Sequence, residues 1–197
     1  MREPIETERL IIKGVSEADA ETVLPVYLNS ADYLDTQTPD EPSIEMVRED
    51  LRLAVQHNSV YCGIFRGDTA QPIGVLSYVP HSFGGQRDYA WLSLLMIQEN
   101  DRLEGYGTEA YQAVEALIFG DPEVKRIGTL LIPQFEASLR FAEKLGFEQA
   151  GGPFKNKRGY GLYSFVKKRP GLETPGEKIW HDAQKAAGED LHGETSH

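Results

Sequence analysis

The stretch that most constrains this chain is Leu92 to Phe119, which reads as a strand, a sharp glycine turn and a helix. Leu92 to Ile97 is an apolar run broken only by Ser93, the length and composition of a strand covered on both faces. Ala110, Tyr111, Ala113, Val114, Leu117 and Ile118 then recur at helical spacing. Between them lies Arg102-Leu103-Glu104-Gly105-Tyr106-Gly107-Thr108, of the form R-x-x-G-x-G. Two glycines permit unusual dihedrals and leave no side chains in the way of a ligand. The free amides that open the next helix, together with its dipole, favour an anion. The expectation is a phosphate or pyrophosphate on the amides of Leu103 to Thr108.

Two other segments stand in order with it: Glu6-Thr7-Glu8-Arg9-Leu10-Ile11-Ile12 near the amino end, and Glu136-Ala137-Ser138-Leu139-Arg140-Phe141-Ala142-Glu143-Lys144-Leu145-Gly146-Phe147 downstream. Together the three resemble the Gcn5-related N-acetyltransferase (GNAT) superfamily, whose acetyl-CoA signature is Q/R-x-x-G-x-G/A. Within it they are similar to the RimJ/RimL type of ribosomal-protein N-acetyltransferases. The resemblance covers roughly residues 6 to 168. It implies an α/β (α+β) fold: a mostly antiparallel twisted sheet, splayed at the cofactor site and flanked by about four helices. It also implies acetyl-CoA as cofactor, and a primary amine, either a small molecule or a protein N-terminus, as acceptor. The domain is expected over residues 1–168.

Carried over residue by residue, the resemblance makes backbone groups of Leu95, Met96 and Ile97 the partners of pantetheine, with the N–H of Met96 or Ile97 facing the reacting carbonyl. Arg102, Leu103, Glu104, Gly105, Tyr106, Gly107 and Thr108 would hold the pyrophosphate, and Lys144 could add charge. In the last helix, Ser138 matches the RimL-like serine and becomes the candidate donor to the leaving sulfur. Phe135 replaces an asparagine and would pack on pantetheine. Ala142 stands where many relatives carry a tyrosine, so no phenol can act there. These two departures motivate the alternative of a non-catalytic acyl-CoA-binding module. Asp88 is the candidate base, while Tyr33, Asp35, Tyr89 and Trp91 are candidate acceptor contacts.

At 197 residues, one domain is the default. The 31 acidic against 20 basic residues argue against general nucleic-acid binding and suit attraction of cations. No apolar run approaches a membrane span, the charged start is unlike a signal peptide, and a lone Cys62 fits a reducing cytosol. The expectation is a cytoplasmic monomer or homodimer with no membrane partner. No cluster has metal-ligand spacing, so no catalytic metal is expected. His81 reads as a solvated loop residue and Cys62 as core.

Ser16 and Ser43 are expected as helix caps, with Pro25 kinking or dividing the first helix and Val47, Leu51, Ala54 and Val55 facing inward on the second. Gly151-Gly152-Pro153 is expected to join the last two strands. Residues 169–197 read as an acidic tail, either mobile or docked through a short helix from Glu177 to Ala187.

Overall fold

The computed structural model describes residues 3–133, 135–156 and 158–172. The strands are β1 (Ile5–Glu6), β2 (Leu10–Gly14), β3 (Val60–Arg66), β4 (Pro72–Val79), β5 (Tyr89–Ile97), β6 (Arg126–Leu131), β7 (Glu148–Lys155) and β8 (Gly161–Lys168). They form one sheet in the order β1-β2-β3-β4-β5-β6-β8-β7. Every neighbouring pair is antiparallel except β5 and β6. The helices are α1 (Ala20–Leu28), α2 (Ala31–Leu34), α3 (Ile44–Gln56), α4 (Tyr106–Gly120) and α5 (Glu136–Lys144).

Alternation along the strands sends side chains into two cores. On one face Leu10, Ile12, Ile64, Leu76 and Leu92 pack with Ala110, Tyr111 and Val114 of α4 and Ala142 of α5. On the other, Tyr61, Val75 and Met96 pack with Val23, Val26 and Tyr27 of α1 and Val47, Leu51 and Ala54 of α3. Cys62 is buried in the first core. Burying one Leu or Ile side chain contributes ~1.5–3 kcal/mol, so the two apolar faces of the central strands hold this part of the sheet between its helices.

Several local expectations change. Helix α1 runs on through Pro25 without dividing there. The segment from Asn29 to Pro42, which reads as a polar loop, carries the short helix α2. Ser43 caps α3 as expected, accepting from the Met46 amide at 3.2 Å. Val55 reads inward by its spacing from Leu51, but it is 78% exposed, because it lies in the last turn of α3. Gly151-Gly152-Pro153 does not form the final turn: the irregular strand β7 absorbs it, with register shifts on either side of Gly151. The turn belongs to Asn156, whose Oδ1 accepts from the amides of Arg158 and Tyr160, both at 3.0 Å.

Past β8, Arg169 donates from Nε to the Val124 carbonyl at 2.8 Å and stacks over Phe119 at 5.1 Å. The chain thus stays tied to the domain just beyond residue 168. The helix expected from Glu177 to Ala187 falls outside the described residues. Among the described residues, no helix is long and apolar enough to cross a membrane, and no three His, Cys, Asp or Glu side chains group to hold a metal ion.

Candidate active site

The site begins where β5 leaves β6. These parallel strands pair only through Tyr89–Arg126, Ala90–Ile127 and Trp91–Gly128. Beyond that, Leu92 to Ile97 continue along β4, and Thr129 to Leu131 continue along β8. A gap therefore opens in the sheet with the second half of β5 as one wall.

A bulge starts the divergence. Opposite β4, Tyr78 pairs with Leu92 and Ser77 with Leu94, leaving Ser93 as the extra residue. The extra residue reverses the strand's alternation. Ala90 and Leu92 belong to the α4 side before it, and Met96 with Leu94 belongs to the α3 side after it.

The backbone of the open half can be oriented. The Gln98 amide donates across to Ile73 O at 2.9 Å. In an antiparallel ladder, alternate residues turn their groups to opposite edges. Met96 therefore faces β4, and Leu95 and Ile97 face the gap. Consistent with this, the Ile97 carbonyl accepts from Arg102 Nε at 2.8 Å rather than serving β4. Of the two amides expected to face the carbonyl, that of Met96 turns to β4 and that of Ile97, like Leu95, to the gap; the Met96 side chain is core.

At the gap's end comes the glycine turn. Leu103 has φ 66° and Gly105 φ 85°, and both are exposed. Gly105 caps α4, and the first backbone bond closing the helix runs from the Glu109 amide to Gly105 O at 3.0 Å. Among the described residues, the amides of residues 103–108 have no acceptor. This is the cradle that an anion needs at a helix start.

The turn is braced from two sides. Arg9 donates from Nε to Glu109 Oε2 at 2.7 Å and from Nη1 to the Glu104 carbonyl at 3.0 Å, while lying over the Tyr106 ring at 4.5 Å. Thr7 and the Arg9 amide hold Glu109 Oε1 at 2.6 and 2.9 Å. Burial works against the Glu109 charge, but these bonds from Thr7 and Arg9 outweigh it and hold the carboxyl below its usual range. The amino-terminal motif is therefore a clamp on the glycine turn. On the other side, Arg102 grips Asp32 of α2 with both terminal nitrogens. Its side chain is engaged by Asp32 and the Ile97 carbonyl, whereas the resemblance assigned it to the pyrophosphate.

Facing the bulge from the α3 side is a cavity of about 350 Å³. Its wall includes Ser77, Ser93 and Leu94 of the sheet, Tyr33 of α2, and Met46 and Asp50 of α3. Asp50 Oδ2 accepts from the fully buried Tyr27 hydroxyl at 2.6 Å, and that hydroxyl meets Tyr61 Oη at 2.5 Å. Burial pushes the Asp50 carboxyl up and pushes all three nearby phenols, Tyr27, Tyr61 and Tyr33, up as well. Sequence reading missed Asp50. Its signal was present, because it sits three residues after Val47 and four before Ala54, on the stripe that faces inward.

Of the other expected residues, Ser138 is half-buried on α5, and its hydroxyl has no partner among the described residues. Phe135 precedes α5 and meets Tyr160 edge-on at 5.8 Å. Asp35 is 68% exposed and pairs with Arg158 at 3.0 Å, away from the cavity wall. Tyr89 and Trp91 pack with Phe83 over Gly128, on the closed half of β5. Asp88 precedes β5 and pairs with Arg126 at 3.6 Å. At ~3.3 Å per residue it stands about 16 Å along the chain from Ser93, so the structure does not bring it to the gap.

A parallel pair that parts at a bulge, with free amides at the end of the opening, can hold a long phosphorylated ligand along the strand edge. The model for the acetyltransferase (GNAT) domain matches residues 9–148 of this sequence. The chain belongs to the GNAT acetyltransferase family. It is therefore an acetyl-CoA-dependent acyltransferase. This acetyltransferase is 28% identical over 175 residues to the uncharacterized N-acetyltransferase YoaA of Bacillus subtilis (strain 168), a match covering 84% of this chain and 97% of YoaA. In fold it is similar to an acetyltransferase from Thermus thermophilus, with a TM-score of 0.66, 24% identity, and coverage of 85% of this chain and 100% of that one. A Salmonella typhimurium acetyl transferase that modifies the N-terminal serine of ribosomal protein L7/L12 gives a TM-score of 0.71 at 16% identity. That match covers 85% of this chain and 99% of that one. At these identities, both structural matches speak for the fold alone.

Proposed function

We propose that this enzyme moves an acetyl group from acetyl-CoA to a primary amine by direct attack, with both bound at once. The observation that carries the reading is the parting of β5 from β6 beyond Trp91 and Gly128, which leaves a strand edge beside the bulge cavity. The amides of residues 103–108 suit a pyrophosphate, and Gly105 and Gly107 keep side chains away from it. The backbone groups of Leu95 and Ile97 would pair with pantetheine. Acetyl-CoA supplies an activated acyl carbon when bound, and the chain's contribution is chiefly position. Good alignment of two bound reactants can lower a barrier by ~7–11 kcal/mol. A well-aimed N–H from Leu95 or Ile97 would contribute ~2.7–4 kcal/mol more by steadying charge on the carbonyl oxygen.

Ser138 serves as proton donor to the leaving sulfur, since its hydroxyl is uncommitted and Phe141 of the same helix lies with Ile97 against Gly107 at the end of the gap. The acceptor amine enters through the cavity beside Ser93, with Tyr33 in its wall. Both a small amine and a protein N-terminus suit this reading.

Incubation of the purified protein with acetyl-CoA and a panel of amines and N-terminal peptides, following free thiol, tests this. Thiol release that depends on one acceptor class is expected. Tight CoA binding without release across the whole panel would instead make the protein an acyl-CoA-binding module.

A further inference from the structure

We propose that Asp50, steadied by Tyr27 and backed by Tyr61, is the anchor that draws the acceptor's ammonium into the bulge cavity and takes its proton. The inference rests on the acetyl-transfer reading and adds the charge of the acceptor and the group that receives it.

Asp50 and Tyr61 both line the cavity whose sheet wall is Ser77, Ser93 and Leu94. The carboxylate and the bulge, where the open edge of β5 begins, thus bound one space. Tyr27 has no exposure and reaches both partners, so its hydroxyl can donate to only one of them at a time. Donated to Asp50 Oδ2, its proton leaves the Tyr27 oxygen to accept from Tyr61. The result is an ordered chain, Tyr61 to Tyr27 to Asp50, ending on a carboxylate whose Oδ1 has no partner among the described residues.

The cavity wall contains no lysine or arginine among the described residues. The titratable groups that face Asp50 from the packed elements are Tyr27 on α1, Tyr33 on α2, Tyr61 on β3, and Glu49 with His57 on α3 and just past it. A half-buried carboxylate with no protein cation beside it is only partly compensated for lost hydration by the one bond from Tyr27, and a bound ammonium supplies a partner for its other oxygen. Burial also raises the basicity of Asp50, which suits it to take a proton.

The proton balance is simple. The ammonium gives one proton to Asp50 and becomes a neutral amine. Its nitrogen forms the new C–N bond as the C–S bond breaks. Ser138 gives its proton to the leaving sulfur, the second amine proton replaces it on Ser138, and Asp50 returns its proton to solvent. The volume of about 350 Å³ suits a compact head group, either a small amine or the first residue or two of a peptide. Leu34, Met46, Leu53 and Leu94 line it as the apolar part.

The test uses the full chain and the best acceptor from the amine and peptide panels, whose separate arms distinguish a small amine from a protein N-terminus. Asp50→Asn should lower kcat/KM about a hundredfold and raise KM, with CoA affinity unchanged by calorimetry. Tyr27→Phe should cost less than Asp50→Asn, and Asp50→Glu should restore part of the rate. A second measurement needs no folded variant. On the native protein, the tertiary-ammonium analogue of the best acceptor should compete about tenfold better than its hydroxyl analogue of equal size. Equal competition by the two analogues, or undiminished kcat/KM in a CoA-binding Asp50→Asn protein, would overturn the assignment while leaving acetyl transfer intact. A native protein that acetylates no amine would remove the transfer reading and this one with it.

Discussion

Arg9 and Glu109 lie a hundred residues apart in sequence, yet the Arg9 guanidinium donates to the Glu109 carboxylate at 2.7 Å and the Arg9 amide donates to its other oxygen at 2.9 Å. The pair fastens the amino-terminal strand region to the first turn of α4, next to the amides proposed to hold pyrophosphate. Arg9→Ala should therefore weaken CoA binding by about threefold, the scale of a partly exposed ion pair, although Arg9 lies outside the signature. Calorimetric titration with CoA checks this. An unchanged Kd would mean that the turn keeps its shape without the clamp.

Gly105 separates two effects. Its φ of 85° is one that a Cβ resists, so Gly105→Ala should cost stability on the order of 1 kcal/mol by backbone strain. Gly105→Glu adds a negative side chain where the pyrophosphate is proposed to sit, and CoA binding should disappear. Melting curves and titrations on both variants separate strain from charge. Normal CoA affinity in a folded Gly105→Glu protein would exclude this site.

Ser138→Ala should lower kcat by about tenfold with little change in CoA affinity. The effect falls short of the usual ~10²-fold for a general acid, because a thiolate leaves readily. Steady-state rates set beside titrations make the comparison. Unaltered turnover would take Ser138 out of the chemistry.

Arg102 tests fork against charge. Its guanidinium serves Ile97 O and both oxygens of Asp32 at once, a geometry lysine cannot reproduce. Arg102→Lys should lower Tm by up to about 3 °C and weaken CoA binding despite the retained charge. The Asp32 carboxyl is held below its usual range chiefly by the hydrogen bond from Arg102. Its folded-state pKa is depressed, so its stabilisation is present above the ordinary aspartate pKa and is lost as pH falls below it. Melting temperatures of the native protein and Asp32→Asn should differ at neutral pH and converge in acid. A gap that persists at low pH would count against the pair.

What the sequence revealed was local. The apolar run, the two glycines and the helical spacing after them lie within one continuous stretch, and each constrains the backbone directly. The splay depends on which strands fail to pair, a relationship between Leu92–Ile97 and Thr129–Leu131 that no short window contains. Gly151-Gly152-Pro153 misled because its residues favour turns, while the partner strand β8 imposed a strand with irregular register. Asp50 is hidden by its chemistry. A carboxylate on an apolar helix stripe ordinarily reads as an interruption that turns to solvent, and the phenols behind this one supply the reason it turns inward. Asp88 is near the central strand in sequence, but it lies at the wrong end of that strand.

The extra residue at Ser93 fixes how this enzyme can be altered. Because one residue reverses which side of β5 each later side chain occupies, deleting it would exchange Leu94 and Met96 with Leu95 and Ile97 between the two helical layers. The groups now turned toward the gap would turn toward β4 instead. Specificity around this strand can therefore drift by substitution but not by changes in its length. Variant libraries aimed at new acceptors should vary the chemistry at 93 and 94 and leave the count of residues alone.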